Sequence, residues 1–209
     1  MADIQLAVQS TPTTPSAGNA VAYVDTTSKE LAVKDANGFI HGRVSNFSTA
    51  AQVLAATTLT YITGSNLAIP TGKLQIGTCF RWAFNITKTA AGVASSTYAI
   101  VVGTAGTTAD TARVSFTKPA GTAVIDEGRI EVAAICRGPL TASGVMVGEF
   151  ILSHTLQTTG HYTLPSLVLN TVSSAFDVTT ANLIVGLVVT TGAADAITIQ
   201  MVQAEAWNL

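Results

Sequence analysis

Over residues 73–87 the chain alternates, with Leu74, Ile76, Phe80, Trp82, Phe84 and Ile86 at even positions and Lys73, Gln75, Arg81 and Asn85 at odd ones. A period of two puts the even set on one face of a strand and predicts a half-buried sheet. Residues 129–137 repeat the pattern, with Ile130, Val132, Ala134 and Cys136 on one side and Arg129, Glu131 and Arg137 on the other. Ile135 breaks it and is expected to face a neighbour. Further strands are predicted over 57–62, 97–102, 112–116, 145–152, 162–169, 183–189 and 197–207, separated by turn signals such as Gly64-Ser65-Asn66, Lys118-Pro119-Ala120-Gly121, Asp126-Glu127-Gly128 and Gly138-Pro139. Short strands with this punctuation predict an all-β chain, an antiparallel β-sandwich of jelly-roll-like kind. The 32 threonines fit the same reading, because β-branched residues suit a pleated surface. The best helical candidate is the short stretch 48–56.

Residues 1–46 differ from the rest. The stretch 9–18 is polar and holds Pro12 and Pro15, which favour an extended arm over a packed element. Three short strands follow, over 20–24, 30–34 and 38–44, and the Asn37-Gly38 pair suits a hairpin turn. Strands this short bury too little alone and need a surface to dock on. The expected division is an N-terminal attachment arm with a small β module over 1–46 and a sandwich head over 47–209.

Composition narrows the function classes. Apolar residues make up 48% of the chain and charged residues 11%, so some apolar surface is expected to meet other subunits, and a homotrimer is the expected assembly. A net charge of −2 with scattered cations gives no basic face for nucleic acid. The longest apolar stretch, 183–189, is far below the ~20 residues of a membrane-spanning helix, and no secretory leader is visible at Met1–Gln5. Cys79 and Cys136 lie among apolar neighbours and read as free thiols.

Gly18-Asn19-Ala20-Val21-Ala22-Tyr23-Val24-Asp25, then Lys29-Glu30-Leu31-Ala32-Val33-Lys34-Asp35 and Asn37-Gly38, resemble the opening module of phage fibre and head-decoration proteins. There a Pro-rich lead precedes a Tyr-Xaa-Asp turn and a Lys-Asp-Xaa-Xaa-Gly hairpin. The remainder is similar to the compact Thr- and Gly-rich heads of such proteins. The resemblance implies a bacteriophage virion protein bound to other virion proteins, in capsid or tail, through its N-terminal arm. A capsid-decoration or head-fibre role is expected first. A receptor-binding tail fibre or tail tip that meets host-surface glycan is the alternative, and a glycan-degrading enzyme is a remote one.

Motifs for chemistry are sparse, and neither a catalytic set nor a cofactor is expected. Gly72-Lys73 lacks the Ser or Thr that a phosphate-binding loop needs next, since Leu74 stands there. Asp126 and Glu127 point to opposite faces if on a strand, and beside Gly128 they read as a solvated turn. Asp110 reads as a turn residue that bonds its own backbone. His154 and His161 bracket a turn; exposed loop histidines are one reading, and a metal held by imidazoles of three subunits on an axis is the other. Trp82 belongs to an alternating apolar face and reads as core rather than a sugar-stacking platform, whereas Trp207 is open between such a platform, pinning the last strand and filling a subunit contact. Any ligand is expected on loops 103–110, 119–128 or 154–161.

Overall fold

The computed structural model describes residues 6, 8–10, 12–25, 31–36, 40–69, 71–192 and 197–209. Four short strands come first: β1 (Val8–Gln9), β2 (Ala20–Asp25), β3 (Leu31–Asp35) and β4 (Ile40–His41). They form one small sheet in that order, with β1 parallel to β2 and the other pairs antiparallel. Twelve more follow: β5 (Arg43–Ser48), β6 (Gln52–Val53), β7 (Leu59–Tyr61), β8 (Leu67–Ile69), β9 (Cys79–Lys88) and β10 (Ser96–Gly103), then β11 (Thr111–Lys118), β12 (Asp126–Gly138), β13 (Val145–His154), β14 (Ser166–Val172), β15 (Leu183–Thr191) and β16 (Ile197–Trp207). They build a seven-stranded sheet in the order β14-β13-β12-β9-β16-β5, with β6 also on β16, and a five-stranded sheet in the order β11-β10-β15-β7, with β8 also on β15. All pairs in both sheets are antiparallel, and the two sheets pack as a sandwich.

The alternation sets the packing. Phe80, Trp82, Phe84 and Ile86 of β9 and Ile130, Val132, Ala134 and Cys136 of β12 point inward and meet Tyr98, Ile100, Val185 and Leu187 of the smaller sheet. Each fully buried large apolar side chain contributes about 1.5–3 kcal/mol relative to exposure. The rings stagger, with Phe84–Tyr98, Tyr98–Phe150 and Phe116–Phe150 centroids 6.0, 5.2 and 5.7 Å apart. Trp82 is fully buried and donates Nε1–H to the Ser65 carbonyl at 2.7 Å, so its one polar atom is satisfied. Gly148 faces this interior, and an added Cβ there would crowd Phe116 and Val114.

Several expectations shift. The stretch 48–56 is not helical: it holds the end of β5, strand β6 and a bridge from Ala56 to Thr191, because edge pairing with β16 and β15 supplies its backbone partners. Strand β9 begins at Cys79, so Ile76 lies outside the ladder and is exposed. The expected 162–169 strand starts later, at Ser166. Strand β5 runs across residue 46 and belongs to the larger sheet, paired with β16 through Val44↔Ala206 and Phe47↔Gln203. The Asn37-Gly38 hairpin lies outside the described residues.

Candidate functional site

Two constellations of titratable side chains arise, one inside the sandwich and one on it. The inner one plugs the end where β9, β11, β12 and β13 meet two loops. Asp126 opens β12 and accepts from His154 Nδ1 at 2.7 Å, the His161 backbone N–H at 2.8 Å and the Glu127 N–H at 2.9 Å. His154 closes β13, directly beside β12, and gives Nε2 to the Leu164 carbonyl at 2.7 Å. Both His154 nitrogens therefore lie against oxygen atoms of other residues. The Asp126 and His154 side chains have no exposed surface.

His161 packs edge-on to His154, with ring centroids 6.3 Å apart, and is also fully buried. Neither of its ring nitrogens has a hydrogen-bond partner among the described residues. Burial lowers its pKa to about 4, with the charges of Lys118, Lys88 and His154 adding to the effect and Asp126 opposing it. For Asp126, burial pushes the pKa up, but the hydrogen bonds from His161 and His154 outweigh it and hold the carboxyl below its usual range. Lys118 Nζ donates to the Pro119 and His161 carbonyls, and Lys88 Nζ to the Thr89 and Thr122 carbonyls. The loops 119–125 and 155–165 cross here through Thr122 N–H to Gly160 O at 2.9 Å and Gly160 N–H to Thr122 Oγ1 at 2.6 Å.

This geometry corrects two expectations. Asp126 is a buried strand residue rather than part of a solvated turn, because strand pairing with Lys88 carries it inside. His154 and His161 are buried rather than exposed on a loop, and His154 has both nitrogens engaged. Other readings stand. Asp110 accepts from the Ala105 and Gly106 N–H groups at 3.0 and 2.8 Å, Cys79 and Cys136 are free thiols, and Trp82 is core. Trp207 sits at the end of β16, 39% exposed, in a hollow shared with Leu31 and Arg43.

The outer constellation lies on the solvent face of the seven-stranded sheet. Strand registers place Ser45, Glu205, Arg81, Ala133 and Glu149 in one cross-strand row and Phe47, Gln203, Ala83, Glu131 and Ile151 in the next. Across them runs a line of alternating charge: Arg43 on Glu205, Glu205 near Arg81 at 3.9 Å, Arg81 on Glu131 at 2.9 Å, and Glu131 on Arg129 at 2.9 Å. The Arg81 hydrogen bond lowers the pKa of Glu131, against its partial burial. Four of the five arginines (43, 81, 129, 137) and four of the five glutamates (127, 131, 149, 205) belong to this face. Sequence reasoning missed the line. Alternation shows that Arg81, Arg129 and Glu131 share an outward side, but only the strand order brings residues 43, 81, 131 and 205 together.

By fold the chain is an antiparallel β-sandwich. No protein-family model matches its sequence, and no curated protein matches it. Among solved structures it is similar to a double mutant of alginate lyase Aly36B in complex with alginate trisaccharide, at 11% identity over 89% of this chain and 87% of that one, with a TM-score of 0.33. It is also similar to alginate lyase Aly36B at 10% identity, over 92% and 87% of the two chains, with a TM-score of 0.30. A superposition this loose bears on neither substrate nor activity.

Proposed function

We propose that the protein is a non-enzymatic structural component of a bacteriophage virion, a trimeric capsid-decoration or head-fibre subunit anchored through its N-terminal region. The observation that carries this reading is the contrast between the two sheets of the head and the small sheet before them. Among the described residues the small sheet buries Tyr23 and Ala32, while Leu6, Val8 and Leu31 stay exposed, Leu31 at 59%. A segment with so little core of its own gains order by lying on a partner. The inner Asp126–His154–His161 cluster supports the non-enzymatic reading in a separate way: Asp126 and His154 are engaged in hydrogen bonds that hold loops in place, and their side chains have no exposed surface. Exposed Val53 and Ile125 supply apolar surface for contacts between copies.

The test removes residues 1–42, stopping short of β5, and follows particle incorporation. A folded trimeric head that no longer joins virions is the expected result, and a truncated head still found on virions overturns the anchoring role. Light scattering of the full chain is expected near three times 21.4 kDa; a stable monomer at micromolar concentration removes the trimer. A second reading, a tail tip that takes host-surface glycan, is favoured by the charged groove on the larger sheet. Labelling the protein in electron micrographs of intact particles separates capsid from tail. Shortening of polysaccharide by purified protein overturns the non-enzymatic claim.

A further inference from the structure

Two hollows on the outer face of the seven-stranded sheet meet at one side chain. The first, about 420 Å³, is lined by Arg43, Phe47, Arg81, Arg129, Gln203 and Glu205. The second, about 620 Å³, continues along the sheet past Asn85, Thr87, Glu127, Ser153 and Gln200, and Arg129 lines it as well. Arg129 donates Nε to Glu131, its side chain is 51% exposed, and among the described residues no partner is seen for the two terminal nitrogens of its fork. That unused edge is the geometry that takes a carboxylate with two parallel hydrogen bonds.

We propose that this groove binds an acidic polysaccharide of the polyuronate class, with Arg129 holding a sugar carboxylate. The alternating line of guanidinium and carboxylate groups matches a ligand that carries both acids and hydroxyls: sugar carboxylates accept from Arg43, Arg81 and Arg129, and sugar hydroxyls donate to Glu131 and Glu205. Phe47, 70% exposed at the margin of the first hollow, gives a flat apolar surface for a sugar ring. Surface ion pairs of this kind add little to folding stability, so the line is free to exchange partners with a ligand. The proposal deepens the tail-tip reading by naming its ligand class and rests on that reading for the source of the polysaccharide.

Calorimetric titration of the full chain with oligogalacturonate, with neutral dextran and with dextran sulfate tests it. Oligogalacturonate is expected to bind and dextran not to. Arg129→Gln is expected to weaken uronate binding by about tenfold or more, as loss of a charged hydrogen-bond pair does. Arg137→Gln removes the same charge from the same face outside the groove and is expected to change it by about twofold or less. No uronate binding, equal loss in the two variants, or tighter binding of dextran sulfate than of uronate overturns the proposal. Failure here leaves the position of the protein on the particle untouched, and a capsid position leaves the binding curve untouched, so the two readings fail separately.

Discussion

The inner cluster and the outer line use the same kinds of side chain, yet one is part of the fold and the other is a surface. Asp126, His154 and His161 lie at 0–8% exposure, and the donors on Asp126 come from its neighbour Glu127 and from the stretch 154–161. Arg43, Arg81 and Arg129 have side chains 44–58% exposed, with water as a ready substitute for each partner. Burial, not residue type, decides whether a charged pair is structural.

The contrast can be broken at its strongest point by Asp126→Ala, which strands the Nδ1–H of His154 and the N–H groups of His161 and Glu127. The expected loss is about 3–5 kcal/mol, typical for breaking a buried pair, and calorimetry is expected to show a Tm lower by about 10 °C. A drop of only a degree or two removes the structural role. Acid sharpens the same contrast. An unfolded His161 titrates near 6.5 and the folded one at about 4, so between those values the unfolded chain binds the extra proton and stability falls as pH falls. The expected loss is about 3 kcal/mol from pH 6.5 to 4, read by urea denaturation, and His161→Leu is expected to flatten that slope. Asp126, with its lowered pKa, is stabilising above its unfolded value, and that contribution is lost as pH falls through the folded one.

Gly160→Ala probes the loop that covers the cluster. Gly160 has φ +89°, and an added Cβ would land on the Asp126 carboxylate, so a loss of about 2–3 kcal/mol is expected in the same assay. Smallest is Glu131→Gln on the outer face, expected to cost less than about 1 kcal/mol although it breaks contacts to Arg81 and Arg129. A larger cost would make the outer line part of the fold.

The period-two runs made the sandwich legible, because Phe80, Trp82, Phe84 and Ile86 and then Ile130, Val132, Ala134 and Cys136 sort inward wherever the sheets are placed. The inner cluster was only half visible. His154 and His161 stand near each other in the chain, but Asp126 is 28 residues from His154, and its Asp-Glu-Gly context resembles a turn until β9 pairs with it. Burial of the two lysines and of His161 depends on loops 119–125 and 155–165 crossing, which no local pattern encodes. The outer line joins residues 43 to 205 and needed the strand order itself.

Strand β16 lies between β9 and β5, so the larger sheet receives one of its interior strands from residues 197–207 while β5 comes from residues 43–48. During synthesis at ~5–20 residues per second, β5 therefore waits roughly 10–30 s without its partner. In that interval the N-terminal region is already made while the larger sheet is still open, and a chain halted before β16 carries the small sheet without a finished sandwich. Limited proteolysis of chains stalled before residue 197 is expected to cut within β5, whereas in the finished protein the same bonds are protected; protection of β5 in stalled chains would show that the sheet closes by another order. The timing makes completion of the sheet the last step of the fold.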